Sequence, residues 1–164
     1  MTDDNVIEQA VTQVRRVLAN ELRAPQVKAF FHEPTFTASY VVSDPMTKRA
    51  AIVDSVWDFD QPSGRTSFES ADEIIAYVQA QGFTVDWILE THAHADHLSA
   101  APYLQEKLGG KLVIGREIVT VQRVFGKIFN EGTEFARDGS QFDRLVADGE
   151  QLMVGEIPLI ALHV

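Results

Sequence analysis

Six consecutive positions of the stretch "THAHADH" hold His92, His94, Asp96 and His97, in a chain of 164 residues that has 5 histidines and no cysteine. Imidazole nitrogens and carboxylate oxygens bind metal ions at roughly 2.0–2.2 Å. On an extended or turning loop His92 and His94, two positions apart, point the same way and serve one metal. Asp96 and His97 lie beyond a further turn and reach a neighbouring position, so two metals sharing an oxygen are a natural outcome. With no thiolate available, the donor set favours zinc, iron or manganese. The bland alternative, a polar loop whose histidines cap the next helix, accounts poorly for four donors in so short a run.

The elements around the cluster must place it. "TVDWILE" at 84–90 reads as a buried strand that ends at the cluster, and "SAAPYLQEKLGG" as a helix closed by Gly109 and Gly110. "KLVIG" is the next strand, which makes a βαβ unit, and ligands in such folds gather where strand turns into helix. Upstream, two antiparallel strands are predicted at 36–43 and 49–54, split by the turn-rich "SDPMTKR". "DFDQPSGRTSF" reads as a loop, after which Ser70 and Glu73 have capping-box spacing for a helix stopped by Gly82. Residues 116–129 read as helix, 130–142 as loop, and the segment from Glu150 onward as a hairpin turning at Gly155-Glu156. Residues 1–24 form an amphipathic N-terminal helix region, with apolar side chains from Val6 to Leu22 ahead of Pro25. That helix packs on its own domain in the first reading, and forms a homodimer or partner-binding arm in the second. Residues 25–164 then make one layered α/β domain.

Composition narrows the function. Twenty-four acidic against 14 basic residues give a formal charge of -10, which repels phosphate backbones and anionic lipid surfaces. No nucleic-acid or membrane partner is expected. The N-terminal "MTDDNVIEQAV" has no basic and apolar leader pattern, so a cytoplasmic location is the default expectation.

The pattern His92-Ala93-His94-Ala95-Asp96-His97 resembles the H-x-H-x-D-H signature of the metallo-β-lactamase superfamily, and residues 27–164 follow that family's order of elements. Asp54, at the end of "AAIVD", matches an aspartate usual there. "SYVVSDPMTKRAAIVDSV" and "THAHADHLSAAPYL" look most similar to the branch holding persulfide dioxygenases and glyoxalase II enzymes. The stretch "VFGKIFNEGTEFARDGSQFD" has no counterpart in the shortest members.

The resemblance implies the first half of an αββα sandwich, with further ligands in a following segment. It implies a metal-dependent enzyme using Fe(II) or Zn(II), one or two ions, on a small thiol substrate derived from glutathione. In the persulfide dioxygenase reading a single Fe(II) binds through His92, the other three groups surround it, and glutathione persulfide is oxidised with O2. In the glyoxalase II reading His92 and His94 hold one metal, Asp96 and His97 the other, and a thioester is hydrolysed. A third reading is an inactive fragment or binding module, since the first half alone should bind metal weakly and turn over little. Asp96 is the candidate catalytic group, and Asp54 the candidate for orienting the ligands.

Other candidates are read more plainly. His32 in "FFHEPTF" is structural and no ligand, and His163 precedes the turn where a further ligand would fall. Asp143, Asp148 and Glu150 form a solvated face. Phe125, Phe129, Phe135 and Phe142 are core or loop packing first, a channel wall second.

Overall fold

The computed structural model describes residues 4–132 and 134–164, so that residues 1–3 of the predicted N-terminal helix region and Thr133 of the predicted loop lie outside the described residues. Helix α1 spans Asp4–Leu18. It stops four residues short of the predicted Leu22, where Asn20 takes a left-handed φ of 59° that no helix continues. Strand β1 (Gln26–His32) follows, then β2 (Thr37–Asp44), β3 (Arg49–Val53), β4 (Val56–Asp60) and β5 (Arg65–Ser67). The sequence reading placed no strand at 26–32 and took 58–68 as loop. Both corrections have one cause: β1 and β5 are edge strands with mostly exposed side chains, and they hide the alternation that marks a strand.

Helix α2 (Glu69–Gln81) leads to β6 (Thr84–Glu90), the short β7 (Leu98–Ser99), α3 (Ala101–Leu108) and β8 (Lys111–Gly115). Then come α4 (Ile118–Ile128), β9 (Arg144–Val146), β10 (Gln151–Val154) and β11 (Ile157–Ile160). The capping box expected at Ser70 is not used. The carboxylate of Asp58 on β4 accepts from Ser70 N at 3.0 Å and Ser70 Oγ at 2.5 Å, so the orphan donors of the first turn are satisfied from another element.

The main sheet runs β1-β2-β3-β6-β8-β9, antiparallel through β3 and parallel beyond it. The register between β3 and β6 shifts at Ala50/Ala51, passing over Asp86. This irregularity resets the side-chain alternation of β6, so Val85 and Ile88 share one face and Trp87 and Leu89 the other. On the first face α2 and α3 pack a core around Ile52, Ile74, Ile88 and Leu104, each 0–1% exposed. Each such side chain stabilises by about 1.5–3 kcal/mol. On the other face Val113, Val146 and Leu152 pack with Trp87 and Leu159.

The β10–β11 hairpin turns at Gly155, as expected. A Cβ there would collide with the Thr47 side chain, so glycine is needed for close approach as well as for its φ of 58°. Among the described residues no helix is long and apolar enough to cross a membrane.

Candidate metal centre

The cluster residues sit where β6 ends, on a loop bracketed at both sides by one side chain. Glu90, the last residue of β6, lies on the α2–α3 side of the sheet and is only 7% exposed. Its Oε1 accepts from Ser99 Oγ at 2.5 Å, and Ser99 Oγ accepts from Ala101 N at 3.0 Å at the start of α3. β7 then pairs with β4 through Val56–Ser99 and Trp57–Leu98. Both ends of the loop are thus anchored, while its middle is left to the histidines.

Each ring is oriented through one nitrogen. His92 Nδ1 lies 2.8 Å from Thr91 Oγ1, and that hydroxyl donates to Asp54 Oδ2 at 2.7 Å. A hydroxyl has one proton, so Nδ1–H donates to Thr91 and Nε2 keeps its lone pair. His94 Nε2 stands 3.1 Å from Asp54 Oδ1 and 2.9 Å from Glu90 Oε2, which makes Nε2 the protonated atom. Its Nδ1 faces Asp96 Oδ1 at 3.9 Å. His97 Nδ1 donates to the Leu98 carbonyl at 2.9 Å, leaving Nε2 buried without a hydrogen-bond partner. A carboxylate or carbonyl behind the imidazole, as at His94 and His97 and through the Thr91 hydroxyl at His92, is the usual means of orienting a metal-binding ring.

The structure therefore brings together all four residues singled out in the motif, with Asp54. Donor atoms of Asp54, His92 and His94 lie within 4.8 Å of one another, as do those of His94, Asp96 and His97. His94 is common to both groups. The donors, nitrogen and carboxylate oxygen, suit zinc or iron, and the unpartnered Nε2 of His97 is the kind of buried lone pair that a cation satisfies.

Charge follows the same geometry. The His94 imidazole is pushed above its ordinary value, first by the Glu90 carboxylate, against burial, with Asp54 adding to the rise. Asp96 is held below the usual carboxyl range, chiefly by its own backbone N–H against desolvation, with His97, Thr37 and His94 contributing. Asp96 is exposed, its side chain 52% accessible. Thr37 Oγ1 donates to it at 3.3 Å and continues through Thr35 to His32. His32 stands outside both donor groups, between Thr35 and Asp58.

Sequence reasoning missed Glu90. The available signal was a carboxylate at the end of an apolar strand, directly before the motif, where burial demands a partner. The solvated-face reading fits the exposed Asp143 and Asp148 and not the half-buried Glu150. Asp143 accepts from Leu112 N and Gln105 Nε2, Asp148 accepts from His163 N, and Glu150 binds Ala147 N and Arg144. Each carboxylate closes a turn or strand end that the local sequence does not reveal. All four phenylalanines line a cavity of about 610 Å³ shared with His92, His94 and His97, and Phe142 also packs on the core.

Residues 32–164 match the model of the metallo-beta-lactamase superfamily, and the chain belongs to that family. Its relatives include a probable metallo-hydrolase of Burkholderia pseudomallei (strain 1710b), 53% identical over 137 residues, a match covering 84% of this chain and 47% of that one. Glyoxylase B2 of Dictyostelium discoideum is 41% identical over 133 residues, covering 80% of this chain and 46% of that one. Among solved structures, ETHE1 from Myxococcus xanthus superposes with a TM-score of 0.56 at 22% identity, covering 81% of this chain and 45% of that one, a likeness of fold. The α/β sheet with its ligand loop at the end of β6 is thus part of a metallo-β-lactamase fold. The chain spans about half the length of these relatives.

Proposed function

We propose that this chain carries the metal-binding loop of a metal-dependent enzyme that oxidises a low-molecular-weight persulfide, such as glutathione persulfide, with O2. The observation that carries the reading is the unequal disposition of the four motif residues. His94 is 6% exposed and clasped by two carboxylates, and Asp96 turns outward to Thr37, while His92 is exposed and oriented with a lone pair free at Nε2. That arrangement suits one ion on His92, with His94, Asp96 and His97 shaping its surroundings. Bound there, iron supplies a Lewis acid and a one-electron redox partner with open coordination positions. The protein's part is to fix the His92 ring through Thr91 and Asp54, and to hold polar groups around the reacting sulfur. Persulfide, dioxygen and water give thiol and sulfite, with two protons released.

A second reading, hydrolysis of a thioester at a pair of ions, is favoured by the unpartnered Nε2 of His97 beside Asp96, which suits a second ion. Metal analysis of the full-length protein with oxygen uptake on glutathione persulfide separates the two. About one iron per chain with uptake, both lost in His92→Ala, is expected. Two zinc ions, no oxygen uptake and cleavage of a glutathione thioester would replace the first reading by the second.

A further inference from the structure

The cavity against the histidines has a wall that the motif does not account for. Phe125 and Phe129 on α4 are 50% and 68% exposed, and their rings stack at 5.9 Å on the side that faces His92, His94 and His97. Exposed aromatic rings on a loose loop would mean little, but this wall is braced. Arg137 reaches back to α4 and donates to the carbonyls of Gly126 at 3.2 Å and Glu131 at 2.6 Å. Gln122, buried on α4, donates to Gln141 at 2.9 Å and accepts from Gly139 N at 3.0 Å. A side chain at position 126 would run into Arg137, so Gly126 makes room for the brace. Among the described residues that line the cavity, the charged side chains are Glu90 and Glu131. An anionic tail inside the cavity would face carboxylates of its own sign, so the peptide part of glutathione persulfide stays outside it.

We infer that this cavity receives an alkyl or aryl group carried on the reacting sulfur, so that uncharged alkyl persulfides are substrates alongside glutathione persulfide. The inference rests on the dioxygenase reading and deepens it. The sulfur end lies at His92 and the carbon chain runs along the Phe125–Phe129 face, where burial of apolar surface supplies the binding energy. The reaction balances as before: alkyl persulfide, dioxygen and water give alkyl thiol, sulfite and two protons.

The test uses the iron-loaded full-length protein. Oxygen uptake is followed with ethyl, butyl and hexyl persulfides, and binding of the unreactive probe hexyl methyl disulfide is measured by calorimetry. The expected result is a kcat/KM that rises about two- to fourfold per added methylene, probe binding weakened at least fivefold in Phe125→Ala/Phe129→Ala, and recovery of most of it in Phe125→Leu/Phe129→Leu. Iron content shows that each variant keeps its site. A kcat/KM independent of chain length, or probe affinity that both double variants leave unchanged, would overturn the inference. Probe binding that responds to the variants, with no oxygen uptake from any persulfide, would overturn the dioxygenase reading while supporting the apolar cavity.

Discussion

Glu90 Oε2 lies 2.9 Å from Nε2 of His94, and both side chains are almost wholly buried. A carboxylate so placed fixes the ring's tautomer and turns Nδ1 toward Asp96. Replacing Glu90 by Gln keeps the shape and can keep the bond to Ser99, but removes the charge behind the ring. Metal affinity should fall about 10- to 100-fold, read by competition with a chromophoric chelator. Equal affinity in Glu90→Gln and the parent protein would show that Glu90 serves only to close the loop.

The same pair makes metal uptake depend on pH. His94 has a raised pKa in the folded, metal-free protein, with Glu90 the first cause. Its stabilisation is therefore fully present below the unfolded value of about 6.5 and is lost as pH rises through the higher folded value. In the two-ion reading an ion takes His94 and needs its neutral ring, so binding releases a proton below that folded value and none above it. Apparent metal affinity should climb with pH by up to about tenfold per unit and then level off, with the break at lower pH in Glu90→Gln. A break that does not move in this variant would assign the proton to another ligand.

What the residues disclose in advance depends on how local the cause is. The candidate loop was legible because four side chains of the kind that bind metals stand in six positions and the flanking strand and helix follow ordinary periodicity. The hairpin at Gly155 was legible for a similar reason. Glu90 and Asp58 were not, because their partners, His94 and Ser99 in one case and Ser70 in the other, are brought to them only by tertiary folding. The edge strands β1 and β5 escaped because exposure on both faces removes the apolar alternation. The cavity wall was visible as four phenylalanines, yet their gathering around one cavity beside the histidines is set by tertiary contacts such as that of Arg137 with the Gly126 carbonyl.

Asp44 is a long-range tie of this hidden kind. Fully buried at the end of β2, it accepts from Met46 N, Thr47 Oγ1 and Glu156 N, and pairs with Arg23. It therefore pins the β10–β11 hairpin and the segment after α1 to the main sheet. Asp44→Ala leaves several buried donors without an acceptor and should cost about 1–3 kcal/mol, a fall of several degrees in Tm. Amide exchange in 151–160 should quicken more than exchange in β6. If the two segments respond alike, Asp44 supports the whole sheet and not the hairpin tie.

Asp54 joins backbone strain to ligand orientation, and the two can be separated. It has a left-handed φ of 51°, accepts from Thr91 N and Thr91 Oγ1 at 2.7 Å each, and contacts His94. Asn tolerates that φ and can still accept one bond, so Asp54→Asn should change stability by under about 1 kcal/mol while lowering metal affinity about tenfold. Asp54→Ala keeps the Cβ but loses the side-chain hydrogen bonds that offset its strain in this region, about 1–2 kcal/mol, and Asp54→Gly removes that strain. Thermal unfolding should thus rank Gly above Ala, while chelator competition places both equally low. A glycine variant that recovers metal affinity along with stability would mean that the backbone turn, and not the carboxylate, orients His92 and His94.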